Sequence, residues 1–68
     1  MELKINNNIK QFDCNQITVQ ELLDLELPSK QNGIAVAVNQ KIIAKNNWVS
    51  FLLNQNDEIL IITATQGG

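Results

Sequence analysis

The segment Thr18 to Pro28 limits the fold most, because it carries a complete helix signature in a chain whose other apolar segments mostly read as strands. Thr18-Val19-Gln20-Glu21 fits a capping box: the Thr18 hydroxyl accepts from the amide of Glu21 while the Glu21 carboxylate accepts from the amide of Thr18. Ile17 before the cap and Leu22 inside the helix are spaced as a hydrophobic staple. Leu22, Leu23 and either Leu25 or Leu27 offer an apolar face. Pro28 closes the helix, since a proline pushes the residue before it out of the α region.

Around this helix the pattern is that of strands. Leu3 and Ile5 alternate with Glu2, Lys4 and Asn6, the period of two expected when one face is buried and the other wet. Asn6-Asn7-Asn8 suits a tight hairpin because asparagine tolerates positive φ better than any residue except glycine. The returning strand spans about Ile9 to Cys14, with Phe12 and Cys14 on the core side by parity. After a polar loop from Ser29 to Gly33, Ile34-Ala35-Val36-Ala37-Val38 puts branched residues on one face and alanines on the other. Asn39-Gln40 turns it into Lys41-Ile42-Ile43. Asn46 to Gln55, which holds Trp48, Val49, Phe51, Leu52 and Leu53, suits a short helical or irregular cover over the sheet better than a strand. A turn at Asn56-Asp57 leads into Glu58 to about Ala64, apolar on both faces as in the middle of a sheet. The order strand, strand, helix, strand, strand, cover, strand gives an α+β chain with one domain over 1–68 and no internal repeat.

A 68-residue domain buries only roughly 60% of the surface its unfolded chain exposes, so there is room for a core and little for a pocket. The longest apolar run, Ile59 to Ile62, is far too short to span a membrane, and no signal-peptide pattern precedes an apolar stretch. A cytoplasmic location is expected. The single Cys14 cannot form an internal disulfide, in keeping with a reducing compartment. All five basic residues are lysines without a cluster, and the net charge is -2, which argues against a nucleic-acid partner and suits a basic protein surface. The ten asparagines and absent arginine match the bias of an AT-rich genome.

What the chain lacks narrows its chemistry. Without histidine and with one cysteine it has no Cys-His pair, no Ser-His-Asp triad and no ligand set for zinc. Glu21 belongs to the cap, and Asp24, Glu26, Asp57 and Glu58 fall on turns or wet faces, where solubility is their ordinary role. Gly33 stands alone, so there is no phosphate-binding loop. Cys14 has nothing basic nearby to lower its pKa and reads as a small hydrophobe, and Trp48 reads as packing in the cover segment. There remains the terminal pair Gly67-Gly68, which is either an incidental tail or a carboxylate presented for activation. A free carboxylate repels nucleophiles, but a partner enzyme that adenylates it with ATP gives it a good leaving group. Glycine suits that role because a residue without Cβ passes a narrow channel and adopts almost any φ. Thr63 to Gly68, if extended, reaches about 20 Å from the fold.

Several segments match one family in order and spacing. Thr18-Val19-Gln20-Glu21-Leu22-Leu23 fits a T-V-x-E/D-L-L helix start, Val36-Ala37-Val38-Asn39 a V-A-V-N strand and turn, and Trp48 an aromatic before the last strand. Asn56-Asp57-Glu58-Ile59 fits G-D-x-V/I, and Gly67-Gly68 the terminus. In these segments the chain resembles the ThiS-type sulfur carriers of thiamine thiazole synthesis, within the wider ubiquitin-like group. Asn6-Asn7-Asn8 departs from the usual N-G-x turn, Asn56 from the glycine of G-D, and Glu26 from a helix-ending glycine. The first two exchange residues that both tolerate positive φ. The resemblance implies a ubiquitin-like β-grasp, a mixed sheet of four to five strands with one main helix packed on one face, and a flexible tail at about 64–68. It implies a carrier without catalytic residues, metal or bound cofactor. A ThiF-like adenylyltransferase using ATP and magnesium would activate Gly68. A persulfide-bearing donor protein would then convert it to a thiocarboxylate, and a ThiG-like thiazole synthase would accept the sulfur. Gly67 would serve as the tail's adapter. Carriers for molybdopterin synthesis or tRNA thiolation, and protein modifiers joined through the terminal glycine, share this activation. The stretch Thr63-Ala64-Thr65-Gln66 lacks the paired prolines common in molybdopterin carriers and favours thiamine.

Strand parity adds a surface to this expectation. If Leu3, Ile5, Ile59 and Ile61 face the helix, Leu60 and Ile62 point to the open face beside Ala35 and Ala37. That patch beside the tail is a natural docking face for a partner protein, unless the cover segment or a second copy hides it.

Overall fold

Among the residues described in the computed structural model, 1–29 and 31–63, seven strands and one α-helix follow one another. Strands β1 (Glu2–Ile5) and β2 (Asn8–Gln11) form an antiparallel hairpin in which Ile5 faces Asn8. Asn6 and Asn7 take φ of 48° and 69°, the consecutive left-handed pair that a two-residue hairpin turn needs to match the strand twist. β2 stops at Gln11 rather than at Cys14, because the chain bends over residues 13–15 to reach the helix cap. Phe12 and Cys14 still pack half-buried against the core, so their side was legible although the strand's length was not.

Ile17–Thr18 makes a short strand, β3, and helix α1 (Val19–Glu26) follows directly. Both halves of the capping box are present: Glu21 N donates to Thr18 Oγ1 at 3.1 Å and Thr18 N donates to Glu21 Oε1 at 2.9 Å. The remaining amides of the first turn are satisfied by the cover segment, Val19 N donating to the Phe51 carbonyl (3.0 Å) and Gln20 N to that of Trp48 (2.9 Å). Val19, Leu22 and Leu23 are fully buried, and Ile17 before the cap is buried. Leu27 is half-buried against the core while Leu25 is exposed, which settles the alternative left open by the spacing. At the other end Gln31 Nε2 donates to the Leu27 carbonyl at 3.1 Å, capping the helix from the loop.

Strands β4 (Ile34–Val38) and β5 (Lys41–Ile43) are joined by Asn39 and Gln40 at φ of 50° and 73°, a second left-handed pair. A 3-10 turn over Lys45–Asn47 begins the cover. Inside that cover lies a strand the sequence did not disclose, β6 (Leu52–Leu53), which pairs antiparallel with β3 through Ile17 and Leu53. Trp48 is fully buried, and its indole Nε1 donates to the Ile43 carbonyl at 3.0 Å, fastening the cover to the edge of the sheet. The last strand, β7 (Glu58–Thr63), sits in the middle of a five-stranded mixed sheet of order β2-β1-β7-β4-β5, parallel to β1 and antiparallel to β4. Leu3, Ile5, Val36, Val38 and Ile59 meet the helix across one face of this sheet, as expected of a β-grasp.

Asp57 locks the approach to β7. Its carboxylate accepts from Asn39 Nδ2 at 3.0 Å and from Asn54 N at 2.7 Å, and Asn39 Oδ1 accepts from Glu58 N at 3.0 Å. The β4–β5 turn and the loop before β7 are thereby held as one unit. The tail expected at 64–68, Gly67 and Gly68 included, lies outside the described residues.

Candidate functional site

The face of the sheet turned away from α1 is built by register. Leu60 lies opposite Ala37 and Ile62 opposite Ala35 on β4, and Ala37 lies opposite Ile42 on β5. Directly opposed residues project to the same side, so Leu60, Ile62, Ala35, Ala37 and Ile42 share this face. Leu60 and Ile62 are 48% and 45% exposed, in the place their parity predicted. Ala37 differs from the expectation. It is only 6% exposed, because a single methyl between Leu60 and Ile42 cannot rise above them, so it forms the floor of the patch and not part of its contact surface. Ala35 is half-buried for the same reason at the next rung.

Ile42, 66% exposed, is a member that parity along one strand missed. Its signal was present in the turn: with Asn39-Gln40 as the two-residue loop, Val38 must oppose Lys41 and Ala37 must oppose Ile42. The patch ends at an ion pair, Lys4 Nζ to Glu58 Oε2 at 3.4 Å, which joins β1 to β7 on the same face. Beside Ala37 a shallow cleft of about 240 Å³ is bordered by the Asn6-Asn7 turn, Gln40 and Leu60. The surface is thus an apolar strip with amide groups and one ion pair at its rim, the composition of a protein contact more than of a small-molecule pocket. It flanks the strand that leads toward Gly67 and Gly68.

Elsewhere the described residues gather no reactive constellation. No three His, Cys, Asp or Glu side chains among them cluster as a metal ion would require. Cys14 is half-buried against the core, as a small hydrophobe would be. The Asp24 carboxyl is held below the usual aspartate pKa by hydrogen bonds first from Gln31 and then from Gln20. It lies on the helix, across the sheet from the apolar strip, and serves the loop that caps the helix. No helix among the described residues is long and apolar enough to cross a membrane.

Comparison with known proteins bears on the chain as a whole. The family model described as ThiS family matches residues 3–68. The curated sulfur carrier protein ThiS of Escherichia coli is 34% identical over 68 residues, covering all of both chains. A crystal structure of the thiamine biosynthesis protein ThiS from Geobacter metallireducens superposes with a TM-score of 0.89 at 19% identity, again over the full length of both chains. At that identity the superposition speaks for the fold alone.

Proposed function

The chain belongs to the ThiS family, and from that premise we propose that it carries sulfur on the carboxylate of Gly68 for thiazole formation in thiamine biosynthesis. The observation that carries this reading is the extent of the family match, which runs from residue 3 through the terminal Gly67-Gly68 pair. The carrier supplies a substrate and no catalytic group. Its partners are a ThiF-like adenylyltransferase, a persulfide-bearing donor and a ThiG-like thiazole synthase, and ATP and magnesium are bound by the first of these. The use of ATP and the unpaired Cys14 both suit the cytoplasm.

In the proposed cycle an oxygen of the Gly68 carboxylate attacks the α-phosphorus of ATP and pyrophosphate leaves. The resulting acyl-adenylate is attacked at its carbonyl carbon by persulfide sulfur, with AMP as leaving group. A second thiol then cleaves the sulfur–sulfur bond, leaving the thiocarboxylate on Gly68 and a disulfide on the donor side. Gly67 keeps the approach narrow enough for the carboxylate to enter the activating site. Leu60, Ile62 and Ile42, over the floor of Ala35 and Ala37, dock the sheet on the adenylyltransferase, with the Lys4–Glu58 pair at the rim.

Carrier-dependent exchange of pyrophosphate into ATP by the adenylyltransferase tests this. The variant lacking Gly68 is expected to support no exchange. Leu60→Asp is expected to fold and to need about tenfold more carrier for half-maximal rate, as when an apolar contact is replaced by a charge at an interface. Full activity of the shortened variant would contradict the role of Gly68, and an unchanged requirement in Leu60→Asp would contradict the docking face.

A further inference from the structure

Strand β7 outruns its parallel neighbour. β1 pairs with it at Lys4–Glu58 and Ile5–Ile59 and then turns away through Asn6-Asn7, while β7 continues to Thr63. The Asn6 amide still reaches the Ile59 carbonyl at 2.9 Å. Beyond that point a continuing strand would have to offer an acceptor to the Ile61 amide and a donor to the Ile61 carbonyl. The side chain of Asn6 offers both: Ile61 N donates to Asn6 Oδ1 at 2.8 Å, and Asn6 Nδ2 donates to the Ile61 carbonyl at 3.3 Å. A carboxamide carries the same acceptor and donor as a peptide group, so Asn6 stands in for the strand residue that β1 no longer supplies. On its other side β7 is paired with β4 as far as Ile34–Thr63.

We infer that Asn6 is a positioning residue for the C-terminal carboxylate, a side-chain clamp that extends the hold on both sides of β7 from Ile59 to Ile61. The inference rests on the carrier reading of Gly68. Without the clamp, Leu60 to Thr63 are tied on the β4 side only, and each loosened residue adds to the ordering required whenever a partner captures the tail. That ordering is needed equally in the bound ground state and in the transition state, so its loss acts on KM and leaves kcat in place.

Asn6→Gly and Asn7→Gly separate the clamp from the turn. Glycine accepts the left-handed backbone at both positions, where φ is 48° and 69°, and only the first substitution removes the two bonds to Ile61. Amide hydrogen exchange at Ile61 is expected to quicken about tenfold in Asn6→Gly and to stay as in wild type in Asn7→Gly. In pyrophosphate exchange the carrier's KM should rise about fivefold in Asn6→Gly with kcat unchanged, while Asn6→Asp, which keeps the acceptor and loses the donor, falls between. Equal Ile61 exchange in the two glycine variants overturns the clamp. A KM that stays level or falls in Asn6→Gly, with wild type active, overturns the positioning role alone. A wild-type chain that supports no exchange of pyrophosphate overturns the carrier reading and the role of Asn6 with it.

Discussion

Gln31 holds two ends of the molecule's local order in one carboxamide. Its Nε2 donates to the Leu27 carbonyl at 3.1 Å and to Asp24 Oδ1 at 2.9 Å, while its Oε1 accepts from Gln20 Nε2 at 2.7 Å. The Gln31 bond, and a second from Gln20 Nε2 to the same Asp24 oxygen at 3.0 Å, favour the ionised carboxylate and hold its pKa below the usual aspartate value. A depressed carboxyl pKa contributes stability that is present above the unfolded-state value and is lost as pH falls through the folded-state value. Gln31→Ala is therefore expected to raise the Asp24 pKa measured by NMR titration, and the stability gap between wild type and variant should narrow as pH falls through the acid range. A gap that widens on acidification would contradict this network. Asparagine shows the same economy of local chemistry: Asn6, Asn7, Asn39 and Asn56 occupy left-handed positions, so a residue bias that looked compositional supplies the turns.

At the scale of elements, the helix and the two hairpin turns were legible because their signals are local. The capping box and the two-residue turns Asn6-Asn7 and Asn39-Gln40 each act within a few residues, and each appears where the sequence placed it. The cover segment was not legible in the same way. β6 spans only Leu52–Leu53 and owes its existence to Ile17–Thr18, far away in the chain, so no periodicity announces it. Nor does the sequence reveal that Phe51 and Trp48 carbonyls complete the helix start, or that Asn6 continues a ladder whose end depends on the length of β1. In the candidate site, Leu60 and Ile62 were read from parity, whereas the sunken Ala37 and the exposed Ile42 depend on how three strands meet. Trp48 ties the cover to the sheet through a buried ring and one bond to Ile43, so Trp48→Phe removes the bond and part of the volume. It should lower stability in urea denaturation by about 1–3 kcal/mol. Because Trp48 is the cover's buried anchor in the core, away from the apolar strip, exchange activity well below the midpoint should be unchanged; a stability equal to wild type would contradict the tie.

For the whole molecule, topology joins the apolar strip proposed for docking to the terminal carboxylate. The central strand is also the last, so the strand that presents Leu60 and Ile62 is the one from which the chain proceeds to Gly67-Gly68. A mixed sheet with β7 between β1 and β4 holds that strand on both sides, the Asn6 clamp extends the hold, and the Asp57 lock fixes its entry. In the proposed cycle the chemistry belongs to the partners and the chain offers them the Gly68 carboxylate. The most direct test is intact-mass measurement after incubation with the adenylyltransferase, ATP and a persulfide donor. A gain equal to sulfur replacing oxygen is expected, absent in the variant lacking Gly68. An unchanged mass, or a gain the size of a whole protein from conjugation, would contradict it.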